Sequence, residues 1–544
     1  MNNRSVWIIG CVVFVVALLS SCGGKGGSSA PEAKPTAAQA SRLLSQATFG
    51  ANDAAIARLS DLGTAAWFDE QFAQPQTLHV DYMNAAQSAL PAGTTISQNQ
   101  FFESFWKQVA SGNDQLRQRV AFALSQIFVI SYQNSTLASM PRGVAGYYDM
   151  LGANAFGNFR DLLENVALHP MMGVYLSSLK NQKTAGSRVP DENFAREVMQ
   201  LFTIGLRQLN QDGTDTRVPA DATYTNDDIK GLAKVFTGWS WAGPDKSSTR
   251  FFGGTPEPDR DWRPMQNYPT YHETLPKSFL GVTIPANTSG EASLKIALDT
   301  LFNHPNVGPF IGRQLIQRLV SSNPSPAYVS RVAAKFADNG QGVRGDMKAV
   351  IKAVLLDPEA VTAQTSNNNA GKLREPVIRL ANWMRAFNAT SSSGHFTIAN
   401  LDDPLFSLGQ TPMRSPSVFN FYRPEYVPPN TSFASAKLFS PEMQITDESS
   451  IVGYLNLMRN AIPNGIGTAN DVKADYTAEL ALASTPDKLL DRVNLLLMQN
   501  QMSTNLRSQI LAAMNSNPNN MTNTNRVYLA IFLTMASPEY IVQK

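Results

Sequence analysis

The chain has 544 residues, of which 43% are hydrophobic, with a formal net charge of +2. A body of about 500 residues at that apolar content can bury roughly three quarters of its unfolded surface. Near-neutral charge with no long basic run excludes a polyanion reader, so no nucleic acid is expected as a partner. There are two cysteines, Cys11 and Cys22, too few for a cysteine metal site.

At the N-terminus Arg4 supplies a positive n-region and Val6 to Leu19 an apolar run. Its length suits a secretory h-region of about 7–15 residues and falls short of the roughly 20 that span a bilayer. Leu19-Ser20-Ser21-Cys22 then resembles the bacterial lipobox. That resemblance implies cleavage before Cys22, lipid on the Cys22 sulfur and, with Gly23 next, anchoring at the outer membrane. An uncleaved anchor helix is the alternative. With Cys11 gone in the leader and Cys22 lipidated, no internal disulfide is expected. Residues 22–39 are mostly Gly, Ser, Ala, Pro and Lys and read as a flexible tether. Residues 1–21 are thus leader, 22–39 lipidated cysteine and tether, and 40–544 the folded body.

Helical periodicity dominates the body. Gln115 to Ser131 is apolar most of the way round and reads as a buried central helix. Asp191 to Ile204 places Phe194, Val198, Leu201 and Phe202 on one face, with Asp191 as N-cap and Gly205 as stop. Gln211-Asp212-Gly213 suggests a small hairpin. Thr225 to Trp239 opens near a capping-box spacing. Further helices are predicted at 292–303, 309–321, 327–338, 346–356, 375–387 and 526–536, and Thr485-Pro486-Asp487 starts another with Pro at the first helical position. Four helices run into a proline, at His169-Pro170, His304-Pro305, Asp357-Pro358 and Ser537-Pro538, and read as helix–Pro–helix corners. Two stretches break the regime: 238–290, rich in Gly, Pro and aromatics, and 402–442, with Phe406, Phe419, Phe421, Tyr422 and Tyr426. Long irregular segments inside a compact domain tend to be functional. The expected fold class is therefore all-α, a single large multi-helix domain carrying two irregular segments and at most a small β-hairpin.

The ordered series Asp191-Glu192-Asn193-Phe194-Ala195-Arg196-Glu197, Leu201-Phe202-Thr203-Ile204-Gly205, Tyr224-Thr225 with Asp228, Phe236-Thr237-Gly238-Trp239, His272-Glu273 with Lys277 and Leu280-Gly281, His304-Pro305, Ser417 to Tyr422 and Ser537-Pro538-Glu539 resembles the bacterial domain-of-unknown-function family numbered eighteen hundred. The match runs from about residue 40 to the C-terminus. Where that family more often has His in the Leu-Phe-Thr-Ile-Gly segment, this chain has Phe202. The resemblance implies an exported envelope protein, often encoded beside a partner similar to sulfatases, and supplies no reaction.

Gly340 to Gly345 matches GxGxxG, but a dinucleotide loop must follow a strand, and here a helix precedes it. A helix cap and turn accounts for it better. Asn210 to Gly213 lacks the closing glutamate of a calcium loop. Glu192 and Arg196 share a helix face, with Glu197 beside them; they form an ion pair or, alternatively, Glu192 or Glu197 is a general acid/base tuned by that arginine. His272-Glu273, with Asp259 and Asp261 upstream, is either a hydrogen-bonded loop or a proton-transfer site. His169 and His304 are placed to cap helix C-termini as cations. Trp239, Trp241, Trp262 and Tyr271 either fill gaps between helices or stack on sugar rings. No metal or cofactor is expected. The reading that emerges is an outer-membrane lipoprotein that binds an exported polysaccharide or a co-secreted sulfatase-like protein. A polysaccharide hydrolase using Glu192 or Glu197 with His272 is the alternative. If both irregular segments pack over the start of the Asp191 helix, Glu192, Arg196 and His272 share one aromatic-walled cleft.

Overall fold

Side-chain caps, more than helix length, define the architecture. The computed structural model describes residues 34–516 and 521–544; the leader, Cys22 and most of the tether lie outside the described residues. The fold is mainly α, with only small antiparallel two-strand sheets beside its helices. The first helix, Ala37–Ala47, opens with a capping box between Thr36 and Gln39. Residues 37–39, read as tether, are therefore its first turn. Among the described residues no helix is long and apolar enough to cross a membrane.

The core forms around Gln115–Ser125, a helix on which every residue but Arg117 is buried. Gln98–Ser111 and Pro376–Ala386 contribute the fully enclosed rings of Trp106 and Trp383. The central helix ends at Ser125 rather than Ser131; the chain after it runs on buried, and the Tyr147 hydroxyl donates to the Phe128 carbonyl at 2.8 Å. The Asp191 helix is likewise shorter than its apolar period, spanning Asn193–Gln200, and Asn226–Ala233 is fastened by the capping box of Thr225 with Asp228.

At three of the four helix–proline corners the residue before the proline is the N-cap of the following helix; at the fourth, His304 stands two residues before the N-cap Asn306 of Val307–Leu319. His169 Nδ1 accepts from Met171 N at 3.2 Å, His304 Nδ1 from Asn306 N at 3.2 Å, Asp357 from Glu359 N and Ser537 from Tyr540 N. The expectation of cationic C-caps is corrected here. Burial pulls His169 down to about 3 and lowers His304 as well, and a ring nitrogen that accepts from a backbone N–H carries no proton.

The sheets arise where sequence reading placed none. Trp239–Ser240 pairs with Gln266–Asn267 and Lys277–Phe279 with Val282–Ile284, both inside the first irregular segment. The second of these presses its backbone on the Asn226–Ala233 helix: a Cβ on Gly231 would lie 1.7 Å from the Ser278 carbonyl oxygen, so only glycine fits. Lys372–Leu373 pairs with Val542–Gln543, and Arg42 of the first helix donates to the carbonyls of Ala360 and Lys544. The Asn210–Gly213 hairpin is a tight turn flanked by one isolated bridge, Leu209 with Asp215. Gly340 to Gly345 links Pro326–Ala337 to Met347–Leu355, with Asp346 capping the second, so the GxGxxG match is a helix–helix connection.

One buried acid stabilises a junction of this core. Asp149 on the Pro141–Ala153 helix accepts from the backbone N–H of His79 at 2.8 Å and Val80 at 2.9 Å, capping a helix remote in sequence. Asp149→Ala removes both bonds and is expected to cost about 1–2 kcal/mol, read by urea denaturation. Burial raises the Asp149 carboxyl to about 7 against the pull of those N–H groups. Its folded value thus lies above its unfolded one, so the folded state resists ionisation and stability falls as pH rises from about 4 to 7. Asp149→Asn, which cannot ionise, should gain on the wild type over that window; a stability difference that stays flat with pH would contradict the assignment.

Candidate functional site

The residues singled out by sequence divide among separate environments. Glu192 and Arg196 form an i,i+4 pair at 3.4 Å, with side chains 36% and 41% exposed, a geometry worth at most about 1 kcal/mol. Glu197 turns inward: it is buried, its Oε2 has no hydrogen-bond partner among the described residues, and burial raises its pKa while Arg196 opposes the rise. His272 is also buried. Its Nδ1 pairs with the Thr237 carbonyl at 2.8 Å, and burial lowers its pKa, with Lys277 adding to the effect. No hydrogen bond joins His272 to Glu192 or Glu197 among the described residues. The Glu273 carboxylate is used by Thr184 and by the backbone N–H groups of Thr274 and Leu275. No three His, Cys, Asp or Glu side chains among the described residues gather as metal ligands.

The aromatic set is equally divided. Trp239 and Trp241 are 4% and 3% exposed and belong to the hydrophobic core, so neither presents a free ring face. Trp262 is half-buried under the Arg142 guanidinium, 5.0 Å from its ring, and Tyr271 is stacked on Phe251 at 3.9 Å. The first irregular segment packs on the helices Pro141–Ala153 and Pro170–Tyr175, as the close approaches of Trp262 to Gly146 and Met265 to Gly173 show. The second lies elsewhere, beyond the C-terminal end of Asn193–Gln200. The two therefore do not wall one cleft over Glu192.

What the second segment encloses is a cavity of about 710 Å³, within the roughly 300–1,000 Å³ range of small-molecule sites. One wall is the Val307–Leu319 helix, which contributes Phe310, Arg313, Gln314, Gln317 and Arg318. The spacing 310, 313/314, 317/318 puts all five on one stripe of that helix. The second wall runs from Val418 to Val427 and the third from Gln200 to Leu209. Gly205, at φ +70°, lets the third wall touch the first: a Cβ there would sit 2.7 Å from the Phe310 ring.

Four arginines and one carboxylate line this space. Arg207 pairs with Glu425 at 2.7 Å and Asp215 at 3.2 Å, which leaves Arg313, Arg318 and Arg423 without an ion pair among the described residues. Arg423 lies over the Phe419 ring at 4.5 Å, and burial lowers the pKa of Arg313 and Arg318. The deep wall is polar and enclosed: Gln126, Gln314, Gln317 and Arg318 are buried, and each has one side-chain polar atom that has no partner among the described residues and is itself closed off from the open space. Each such atom costs about 1–3 kcal/mol while it stays unpaired.

Behind that wall sits a charge cluster. The Glu375 Oε2 accepts from Gln126 at 2.6 Å, Gln410 at 2.7 Å and Tyr422 at 2.8 Å. Lys372 pairs with Glu442, and Arg119 donates to the Arg318 carbonyl at 2.7 Å. Four buried cations, Arg119, Arg318, Lys372 and Arg379, thus face two buried carboxylates, Glu375 and Glu442. The sequence reading missed this site. Its available signal was the polar stripe at 310–318 on a helix otherwise apolar, together with the Ser417 to Tyr422 run.

The tryptophan placement has a direct check. Trp241→Ala should cost about 3–5 kcal/mol of unfolding free energy, the range for emptying an aromatic core site. A binding ring on the surface would leave stability unchanged when truncated.

No curated protein and no solved structure matches the chain. One family does, described as protein of unknown function, DUF1800, over residues 42–542. That span holds both irregular segments and every wall of the cavity. The chain belongs to the DUF1800 family.

Proposed function

We propose that this protein is a non-catalytic binding protein of the cell envelope, anchored to the outer membrane through lipid on Cys22, and that its ligand occupies the 710 Å³ cavity between Val307–Leu319 and the 418–427 segment. The observation that carries the reading is the cavity wall itself. Three of its arginines, Arg313, Arg318 and Arg423, have no ion pair among the described residues, and with Phe310, Phe419 and Tyr426 they surround an open space of ligand size, an arrangement that an anionic group would complete. An exported polymer, or a co-secreted sulfatase-like protein presenting such a group, fits an accessory role on a tethered lipoprotein. The hydrolase alternative has one point in its favour, the buried Glu197 with its raised pKa. It lacks a partner for that acid: neither Glu197 nor His272 lines the cavity, and no hydrogen bond links them.

Two measurements test this. Metabolic labelling with a fatty-acid analogue should mark the wild type and miss Cys22→Ser; equal labelling removes the anchor from the proposal. In thermal denaturation, envelope polymer fractions should stabilise the wild type, by about 2.7 kcal/mol at a hundredfold excess over Kd. Val418→Trp, which fills the cavity from its irregular-segment wall, should keep the unliganded Tm and lose the shift. A shift that persists in Val418→Trp places the ligand elsewhere.

A further inference from the structure

Resting on the binding-protein reading, we infer that the ligand of the cavity is an amphiphilic anion: one acidic head, a carboxylate, sulfate or phosphate, on an acyl chain. The surface a ligand can touch carries the first step. The unpartnered atoms of Gln126, Gln314, Gln317 and Arg318 are closed off from the open space, so the deep wall offers a hydroxylated ligand little to bind. What stays open is hydrocarbon. Leu201, Phe310, Val418, Phe419 and Tyr426 are each only partly covered, and Leu206 is 57% exposed. Single apolar side chains on a surface are ordinary. Six of them, brought from three separate stretches of chain to line one concave space, form a patch of the kind that marks an apolar ligand.

Charge carries the second step, and the charge within reach is gathered together. Arg207 holds Glu425 at 2.7 Å and Asp215 at 3.2 Å. Arg313 lies in the field of the same three groups with no ion pair of its own among the described residues. Asp212, also in that field, accepts from the backbone N–H and hydroxyl of Thr214. Arg423 stands two residues before Glu425, exposed and laid over the Phe419 ring at 4.5 Å. Arg318 adds its field from behind the wall, its terminal nitrogens turned on the Gln314 and Gln126 carbonyls. Arg313 and Arg423 therefore favour an anion beside the Arg207–Glu425 pair, and the apolar lining next to them limits solvent screening of that preference. An inorganic anion or an acidic sugar would leave the hydrocarbon wall wet. A neutral lipid would leave both guanidiniums unpaired. An acyl-chain acid satisfies both requirements, so what an exported polymer offers this cavity is an acylated, charged end rather than its repeating units.

The test is calorimetric titration of the full-length protein in phosphatidylcholine nanodiscs, with Val418→Trp nanodiscs as the blank for partition into lipid. The probes are octyl sulfate, octyl phosphate and octanoate, their butyl counterparts, and octyl glucoside, which keeps the chain and lacks the charge. At least one octyl anion should bind at least about tenfold more tightly than octyl glucoside and than the butyl anion with the same head. Which octyl anion binds best identifies the head. Arg423→Glu should erase the advantage over octyl glucoside without lowering the unliganded Tm. Equal affinity for octyl glucoside or for the butyl anion overturns the inference, as does octyl anion binding undiminished in Val418→Trp. If no octyl anion binds while envelope polymer fractions still give the Val418-dependent thermal shift, the cavity stands as a binding site and the amphiphile assignment falls. If that shift is also missing, the binding-protein reading falls with it.

Discussion

The Glu375 carboxylate is the tie on which the rest of this structure depends. One of its oxygens takes hydrogen bonds from Gln126 after the central helix, from Gln410 in the second irregular segment and from the Tyr422 hydroxyl farther along that segment. Residues 402–442 contain little regular structure, so few backbone ladders hold them in place. A fully buried carboxylate with three short donors substitutes for such a ladder, because a charge-assisted bond in a low-dielectric interior is about twice as strong as a neutral one. Tyr422 loses its acidity in this setting; burial and the neighbouring carboxylates push it well above the ordinary tyrosine value, so it remains a donor at any physiological pH.

The same region concentrates guanidinium groups that a hydrophobic core of equal volume would not need. Their burial is costly, and hydrogen bonds that they make go to backbone carbonyls: Arg318 to Gln314 and Gln126, Arg379 to Arg374, Arg374 to Tyr540. Replacing such a set by apolar side chains often stabilises a protein. Its retention beside an open space of about 710 Å³ is coherent if the set serves recognition, since a fixed positive field costs no reorganisation when a ligand arrives.

The helical fold was largely legible from sequence because its signals are local. Periodicity located the Gly290–Asn303, Val307–Leu319, Pro326–Ala337 and Asn523–Ala536 helices to within a few residues, and the Thr225 box worked as its spacing implies. Errors came where a tertiary partner overrode the local pattern. The apolar run after Ser125 continues as buried non-helical chain, and His169, which looks like a C-terminal cation, is a neutral cap for the next helix. The two-strand sheets escaped notice because each is two or three residues long, below the length at which alternation can be read. The candidate site was the least legible part. Its walls come from stretches far apart in the chain, near 126, 205, 314 and 423, and a glutamine or arginine on an amphipathic helix gives no sign of whether it meets water or the interior. The tryptophans drew attention for their size, yet Trp239 and Trp241 are the filling of the core.

The pairing of Val542–Gln543 with Lys372–Leu373, and the grip of Arg42 on the Ala360 and Lys544 carbonyls, have a kinetic consequence. The earliest helix of the body is completed by the latest residues, so the contact that closes the fold spans nearly the whole polypeptide. Such long-range closure slows folding and discourages stable intermediates that omit one end. A chain emerging vectorially, from a ribosome or a translocation pore, cannot bury the Arg42 side of its first helix until the last strand arrives. The body is thus kept from locking prematurely, and a truncation that removes a handful of C-terminal residues acts on the N-terminal helix as directly as a mutation within it.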